Sequence, residues 1–294
     1  MKSLASLFVF FLLTSCAAKP EPVLDQATVV ANNASVRMKN SGTSRTLTTL
    51  KPGEKIEVLE RQGNWLRIRY SDDVQGWMEE STVLTTSTKK RIQDLVAASQ
   101  NQLPQNTAVL REDANFRIEP GRSTPVIRKV DKGTKVEVLE RVTTPRPGSE
   151  SSHDVWLKVR PSPAEVGWIL MTLADFDIPE LISQYSEEYI YTAIQKLNTV
   201  QDPLEGPVSW YVVGERKGNA DPMVDFQGIR VFTWNMKSHR YETAFRKKFR
   251  GVYPLEVVQT GVNPAFRVWE LSEDGTAKIP HDYVMYGVIV RKKT

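Results

Sequence analysis

Cysteine is nearly absent from this chain: Cys16 is the only one in 294 residues, and it lies close to the N-terminus. Downstream of it no disulfide, no paired-cysteine metal knuckle and no cysteine nucleophile can be built. Histidine is scarce as well. His153, His239 and His281 lie far apart in sequence, without the HExxH or HxE spacing that presents two ligands to one metal. No GxSxG elbow, P-loop or GxGxxG occurs. Ser87-Thr88-Lys89-Lys90 spells the SxxK of serine–lysine enzymes, but neither SDN nor KTG follows, and a short linker cannot shield such a site from water. The expectation is a non-enzymatic protein without metal or cofactor. Paired carboxylates acting on a glycosidic bond remain the one open enzymatic alternative, because their separation is a three-dimensional fact.

Charge of one sign is also in short supply. A formal excess of +4 is too small to imply a nucleic-acid partner, while 40% hydrophobic and 25% charged residues are ordinary for a folded chain. The longest apolar run, Leu4 to Leu13, is about half of what spans a bilayer. With Lys2 before it and Thr14-Ser15 after it, this run has the form of a secretory signal peptide. Leu13-Thr14-Ser15-Cys16 resembles the lipobox of bacterial lipoproteins, which implies removal of residues 1–15 and lipidation of Cys16. Several acyl chains hold a membrane far better than one, each buried methylene adding about 0.8 kcal/mol. Ala17, rather than Asp, points by the sorting rule of Gram-negative lipoproteins to an outer-membrane anchor facing the periplasm. Residues 16–26, with Pro20 and Pro22, form an extended tether.

What the chain does have is a repeat. Lys55-Ile56-Glu57-Val58-Leu59-Glu60-Arg61 returns as Lys135-Val136-Glu137-Val138-Leu139-Glu140-Arg141, 135 − 55 = 80 residues later, each two residues after a glycine. Apolar residues alternating with charged ones mark half-buried strands, and turn signals recur every eight to twelve residues. The unit at 27–86 carries Val36-Arg37, Leu50-Lys51-Pro52-Gly53-Glu54, Trp65-Leu66-Arg67-Ile68 and Gly76-Trp77. The unit at 106–176 carries Phe116-Arg117, Val130-Asp131-Lys132-Gly133, Trp156-Leu157-Lys158-Val159 and Gly167-Trp168. The offset grows to 156 − 65 = 91, so the second unit has eleven additional residues, expected as a surface loop over Thr143 to His153.

In this order these motifs resemble the bacterial SH3 (SH3b) domain, twice. The resemblance implies two tandem small β-barrels that bind peptidoglycan or cell-wall peptides, or pack against a neighbouring domain. Trp65, Trp77, Trp156 and Trp168 are candidates to line a ligand groove, since aromatic faces stack on sugars and peptide backbones. The competing reading, favoured for Trp77 and Trp168, is barrel packing, each following a glycine that permits close strand approach.

Residues 87–105 read as a linker helix with Ser87 or Thr88 as its N-cap. The last segment, 177–294, is expected to be an antiparallel β-domain with one packed helix, placed over Ile178 to Leu197 by an apolar stripe at helical spacing. Lys237, Arg240, Arg246, Lys247, Lys248 and Arg250 crowd one stretch of it, although the segment as a whole balances 15 basic against 15 acidic residues. This is either a basic patch for an anionic surface or a charged edge strand that resists aggregation. The fold class expected is mainly β. The function expected is that of a membrane-anchored envelope lipoprotein holding peptidoglycan or another envelope protein; the alternative is an assembly subunit that binds through its C-terminal β-domain.

Overall fold

The computed structural model describes residues 21–71, 74–148, 152–258 and 263–293; Cys16 and the leader lie outside them. The chain divides into two compact units at Lys89/Lys90.

The first unit holds β1 (Asp25–Val29), β2 (Ala34–Arg37), β3 (Thr46–Leu50), β4 (Lys55–Gln62), β5 (Trp65–Ser71), β6 (Val74–Glu79) and β7 (Val83–Thr85), in the antiparallel order β3-β2-β6-β5-β4-β1-β7. Alternation does the work: Ile56 and Val58 on β4, and Leu66 and Ile68 on β5, point inward to meet Val36 and Met78. Gly76 allows β6 to cross against β2, because a Cβ there would sit 2.4 Å from Val36 Cγ1. A helix, α1 (Thr86–Ser99), follows. Its first turn is capped by Thr85, whose Oγ1 accepts the Thr88 N–H at 3.1 Å, two residues or more before the expected cap. Ser87 instead donates to the Asp25 carboxylate.

The second unit opens with β8 (Asn106–Leu110), β9 (Ala114–Arg117), β10 (Val126–Val130), β11 (Lys135–Pro145), β12 (His153–Ser162), β13 (Glu165–Leu170) and β14 (Ala174–Phe176). Their order, β10-β9-β13-β12-β11-β8-β14, repeats the first sheet strand for strand. The eleven additional residues are only partly loop. Val142 to Pro145 pair with Trp156 to His153, so the insertion lengthens the β11–β12 hairpin.

The C-terminal segment corrects the expected helix. Only Glu180–Ser183, α2, is helical; from Ile190 to Asp202 the chain is a strand, β15. Tyr, Ile and Thr are strand formers, and bulges between Tyr191/Ala193 and Lys196/Asn198 break the two-residue period, leaving a spacing that mimics a helical stripe. Next come β16 (Gly206–Arg216), β17 (Phe226–Asn235), β18 (Arg240–Val257), β19 (Ala265–Leu271), β20 (Lys278–Tyr286) and β21 (Ile289–Lys292), each paired with the strand before it. A shift in register between Val252 and Glu256 bends β18, and the later strands fold back across the earlier ones. Phe245 therefore meets Tyr283 at 5.4 Å, within one core that also holds Tyr191, Phe232 and Phe266. β18 is the fourth of seven strands, but β19 pairs only with its Gly251–Val257 half, so the charged half, Arg240–Arg250, is paired with β17 alone and is the edge its charges suggested.

The second small sheet and the C-terminal sheet are knitted together by backbone partners. Gln105 accepts the Ile194 N–H through its carbonyl and the Leu255 N–H through Oε1, both at 2.7 Å, while Asn106 Nδ2 donates to the Tyr191 carbonyl. Arg141, buried, donates to the carbonyls of Pro222 and Val224 at 3.0 Å.

Candidate functional site

On the outward face of the first sheet the strand pairing sets Trp65 opposite Glu79, Arg67 opposite Trp77 and Arg69 opposite Gln75. Trp65 and Trp77 are half-buried diagonal neighbours on that face. Arg67 is fully engaged: Glu21 grips it with both carboxylate oxygens at 2.5 and 3.0 Å, and Glu60 accepts from its Nε at 2.9 Å. The hydrogen bond from Arg67 holds the Glu21 carboxyl below its ordinary range. The corresponding tryptophans of the second sheet have another fate. Trp156 is 1% exposed, with its Nε1 donating to Thr144 Oγ1, and Trp168 is 7% exposed. These two are buried in the packing of the domain. The reason is local for Trp156: Thr144 and its partner strand residues come from the lengthened hairpin, which has no counterpart around Trp65.

One row away lies a cleft of about 660 Å³, lined among others by Thr28, Lys55, Glu57, Arg69, Tyr70 and Thr86. Arg69 Nη1 donates to Glu57 Oε2 at 2.8 Å, whereas its Nε is buried with no hydrogen-bond partner among the described residues. Such a donor is costly to leave unpaired, by about 1–3 kcal/mol. The repeat supplies a comparison. Glu57 and Arg69 recur as Glu137 and Arg160, again paired, at 2.6 Å. There Nε is the donor to Glu137, and Nη1 and Nη2 donate to the carbonyls of Ser99 at 3.0 Å and Gln102 at 3.3 Å, so the chain's own backbone takes the terminal nitrogens. Sequence reasoning passed over this pair; the signal was present in the recurrence of Glu and Arg at matched positions on adjacent strands.

Residues 32–83 and 112–173 match the family model of the bacterial SH3 domain. The chain carries two such domains in tandem. No curated protein matches it. Among solved structures it is similar to NlpC1 from Trichomonas vaginalis, at 10% identity over 80% of this chain and 92% of that one, with a TM-score of 0.21. It is also similar to an NlpC/P60 family protein from Bacillus cereus, at 11% identity over 74% and 93%, with a TM-score of 0.19. At such TM-scores the likeness carries no weight for fold or function.

The basic stretch beyond the second SH3b domain is dispersed by its strand. Arg246 Nε donates to the buried Glu215 at 2.8 Å and its guanidinium lies 5.0 Å from the Tyr189 ring. Arg250 reaches the Ser272 and Glu273 carbonyls and Asp221, and Arg240 lies 3.7 Å from Glu242. Lys247 and Lys248 border a shallow cleft together with Glu187 and Glu188, and Lys237 sits in the β17–β18 turn. Three of the six, Arg240, Arg246 and Arg250, thus each lie against a carboxylate. Among the described residues no group of three His, Cys, Asp or Glu side chains could hold a metal ion, and no helix is long and apolar enough to cross a membrane. His239 and His281 are each held by a carboxylate, Asp202 at 2.8 Å and Glu270 at 2.7 Å.

Proposed function

We propose that this chain is a non-catalytic, membrane-anchored lipoprotein of the cell envelope, and that its first SH3b domain binds peptidoglycan or a cell-wall peptide. Bacterial SH3 domains usually bind the cell wall, which fits the partner. One observation carries the assignment to the first domain. Among the described residues Arg69 makes one side-chain hydrogen bond, to Glu57, and keeps Nε unpaired, while Arg160 gives Nε to Glu137 and its terminal nitrogens to the carbonyls of Ser99 and Gln102. A peptide offering its backbone carbonyls to Arg69 would repeat that arrangement in trans. Trp65 and Trp77 flank the neighbouring row and extend the surface for stacking. Lipid on Cys16 would place the domain at a membrane, the outer membrane facing the periplasm in a Gram-negative cell.

The test is co-sedimentation of residues 17–294 with insoluble peptidoglycan, beside Arg69→Ala and a Trp65→Ala/Trp77→Ala double variant, each checked for folding by near-ultraviolet circular dichroism. Wild-type chain is expected in the pellet, with Arg69→Ala left in the supernatant. If the wild type does not pellet, wall binding is wrong and protein partners of the C-terminal β-domain become the better reading.

A further inference from the structure

The lengthened hairpin of the second SH3b domain does more than cover Trp156. Asp154, on the inserted part of β12, has a side chain only 2% exposed, yet two guanidinium groups reach it. Arg122 binds it with Nε at 2.6 Å and Nη2 at 3.0 Å, and Arg146 donates to it from Nε at 2.9 Å. Both arginines are themselves about half exposed, at 49% and 47%. One buried carboxylate thus orients two cations toward solvent, and the trio keeps a net positive charge. These residues border a cavity of about 470 Å³ between the second SH3b domain and the start of the C-terminal domain. The lining also includes the apolar Leu170, Met171, Ile178 and Ile190. Among the described residues a further cation–acid pair on the rim, Arg111 and Asp175 at 3.5 Å, is neutral as a pair. Cavities of this size at domain junctions, apolar with a few convergent charges, are the usual form of small-ligand sites. The first SH3b domain has no counterpart, because its β4–β5 hairpin closes directly between Gln62 and Trp65.

We propose that this cavity binds a monocarboxylate bearing an apolar group, the chemistry of the free C-terminal end of a short peptide. The carboxylate pairs with Arg122 and Arg146, held in place by Asp154, and the apolar group lies against Leu170, Ile178 and Ile190. One net charge matches one carboxylate, and a fixed guanidinium loses less freedom on binding than a mobile one. Asp154 is a positioning residue here. The proposal goes beyond wall binding by the first domain and does not depend on it.

The probe is N-acetyl-Ala-Leu with a free carboxylate, against the same dipeptide as its C-terminal amide, titrated into residues 17–294 by calorimetry and followed by amide NMR shifts. The acid is expected to bind at least about tenfold more tightly than the amide, equivalent to about 1.4 kcal/mol. Its affinity should weaken with salt and fall by a similar factor in folded Arg122→Gln and Arg146→Gln variants. Equal binding of acid and amide to the wild type overturns the proposal, as does no binding of the acid at millimolar concentration or shifts confined to residues 21–86. The acid–amide comparison on the unaltered chain stands even if a variant misfolds. Arg69→Ala, which removes the wall-binding donor, should leave this affinity unchanged, so the two readings fail separately.

Discussion

The repeat places the same residue in two environments, and this makes a controlled stability experiment. Arg61 and Arg141 occupy one repeat position, 80 residues apart. Arg61 pairs with Glu80 at 2.8 Å at a partly exposed site, 35% and 18% for the two side chains. Arg141 is 2% exposed, donates to two backbone carbonyls at 3.0 Å and lies 3.4 Å from Asp225. Arg61→Ala is expected to cost up to about 1 kcal/mol, the ordinary worth of such a pair. Arg141→Ala strips a buried carboxylate of a cation, a class of change that costs about 3–5 kcal/mol, while the Pro222 and Val224 carbonyls keep Thr143 and Arg216 as donors. An offset exists. Arg216, packed beside it, has its guanidinium lowered to about 10 by burial first and by the Arg141 charge second. Arg141 Nε and Nη2 are also buried without hydrogen-bond partners among the described residues. Relief of both sets the expected loss at the lower end, about 3 kcal/mol. Urea denaturation of the wild type and the two variants, with tryptophan fluorescence and far-ultraviolet circular dichroism read together, measures the difference. An Arg141→Ala loss no larger than that of Arg61→Ala would refute the reasoning that this side chain fastens the second SH3b domain to the C-terminal sheet.

Three further outcomes are expected. Gly167→Ala should destabilise by about 1–3 kcal/mol in the same assay, because the new methyl would lie 2.7 Å from Phe116 Cε2 and 2.8 Å from the Arg117 carbonyl. Gly42→Ala, with nothing within 4 Å of its Cβ, should stay within about 0.5 kcal/mol of wild type. Titrated upward and followed by absorbance at 295 nm, three of the nine tyrosines should ionise late. Burial raises Tyr191 from 10 to about 12 and raises Tyr241 and Tyr253 further. A raised folded-state value means that the associated stability is whole below pH 10 and declines as pH climbs through about 12, where the unfolded chain loses its phenolic protons first. A single early phase containing all nine would contradict the buried placements.

Much of the architecture was legible because it is local. Strand alternation in Ile56 and Val58, the turns at Gly53 and Gly133, and the motif order repeated at offsets of 80 and 91 residues all depend on neighbours a few positions away. The strand at Ile190–Asp202 was not legible, since two bulges convert its period into one that resembles a helix. Bulges are set by the partner strand β16, which lies further along the chain. The charged run in β18 was legible as an edge, since Arg240–Arg250 pair with β17 on one side while β19 takes up pairing only from Gly251.

The sequence by itself determined that this chain repeats one small β-unit, that its only cysteine lies at position 16, and that a mainly β domain follows. Only the tertiary structure decided which copy of each repeated residue is open. Trp65 is half-buried while Trp156 is enclosed, Arg61 meets solvent while Arg141 is sealed, and Arg69 keeps Nε unpaired while Arg160 gives Nε to Glu137 and its terminal nitrogens to the chain's own backbone. Burial and hydrogen-bond satisfaction belong to surfaces that meet in space, and the elements that cover the second copy come from its inserted hairpin, the linker before it and the sheet after it.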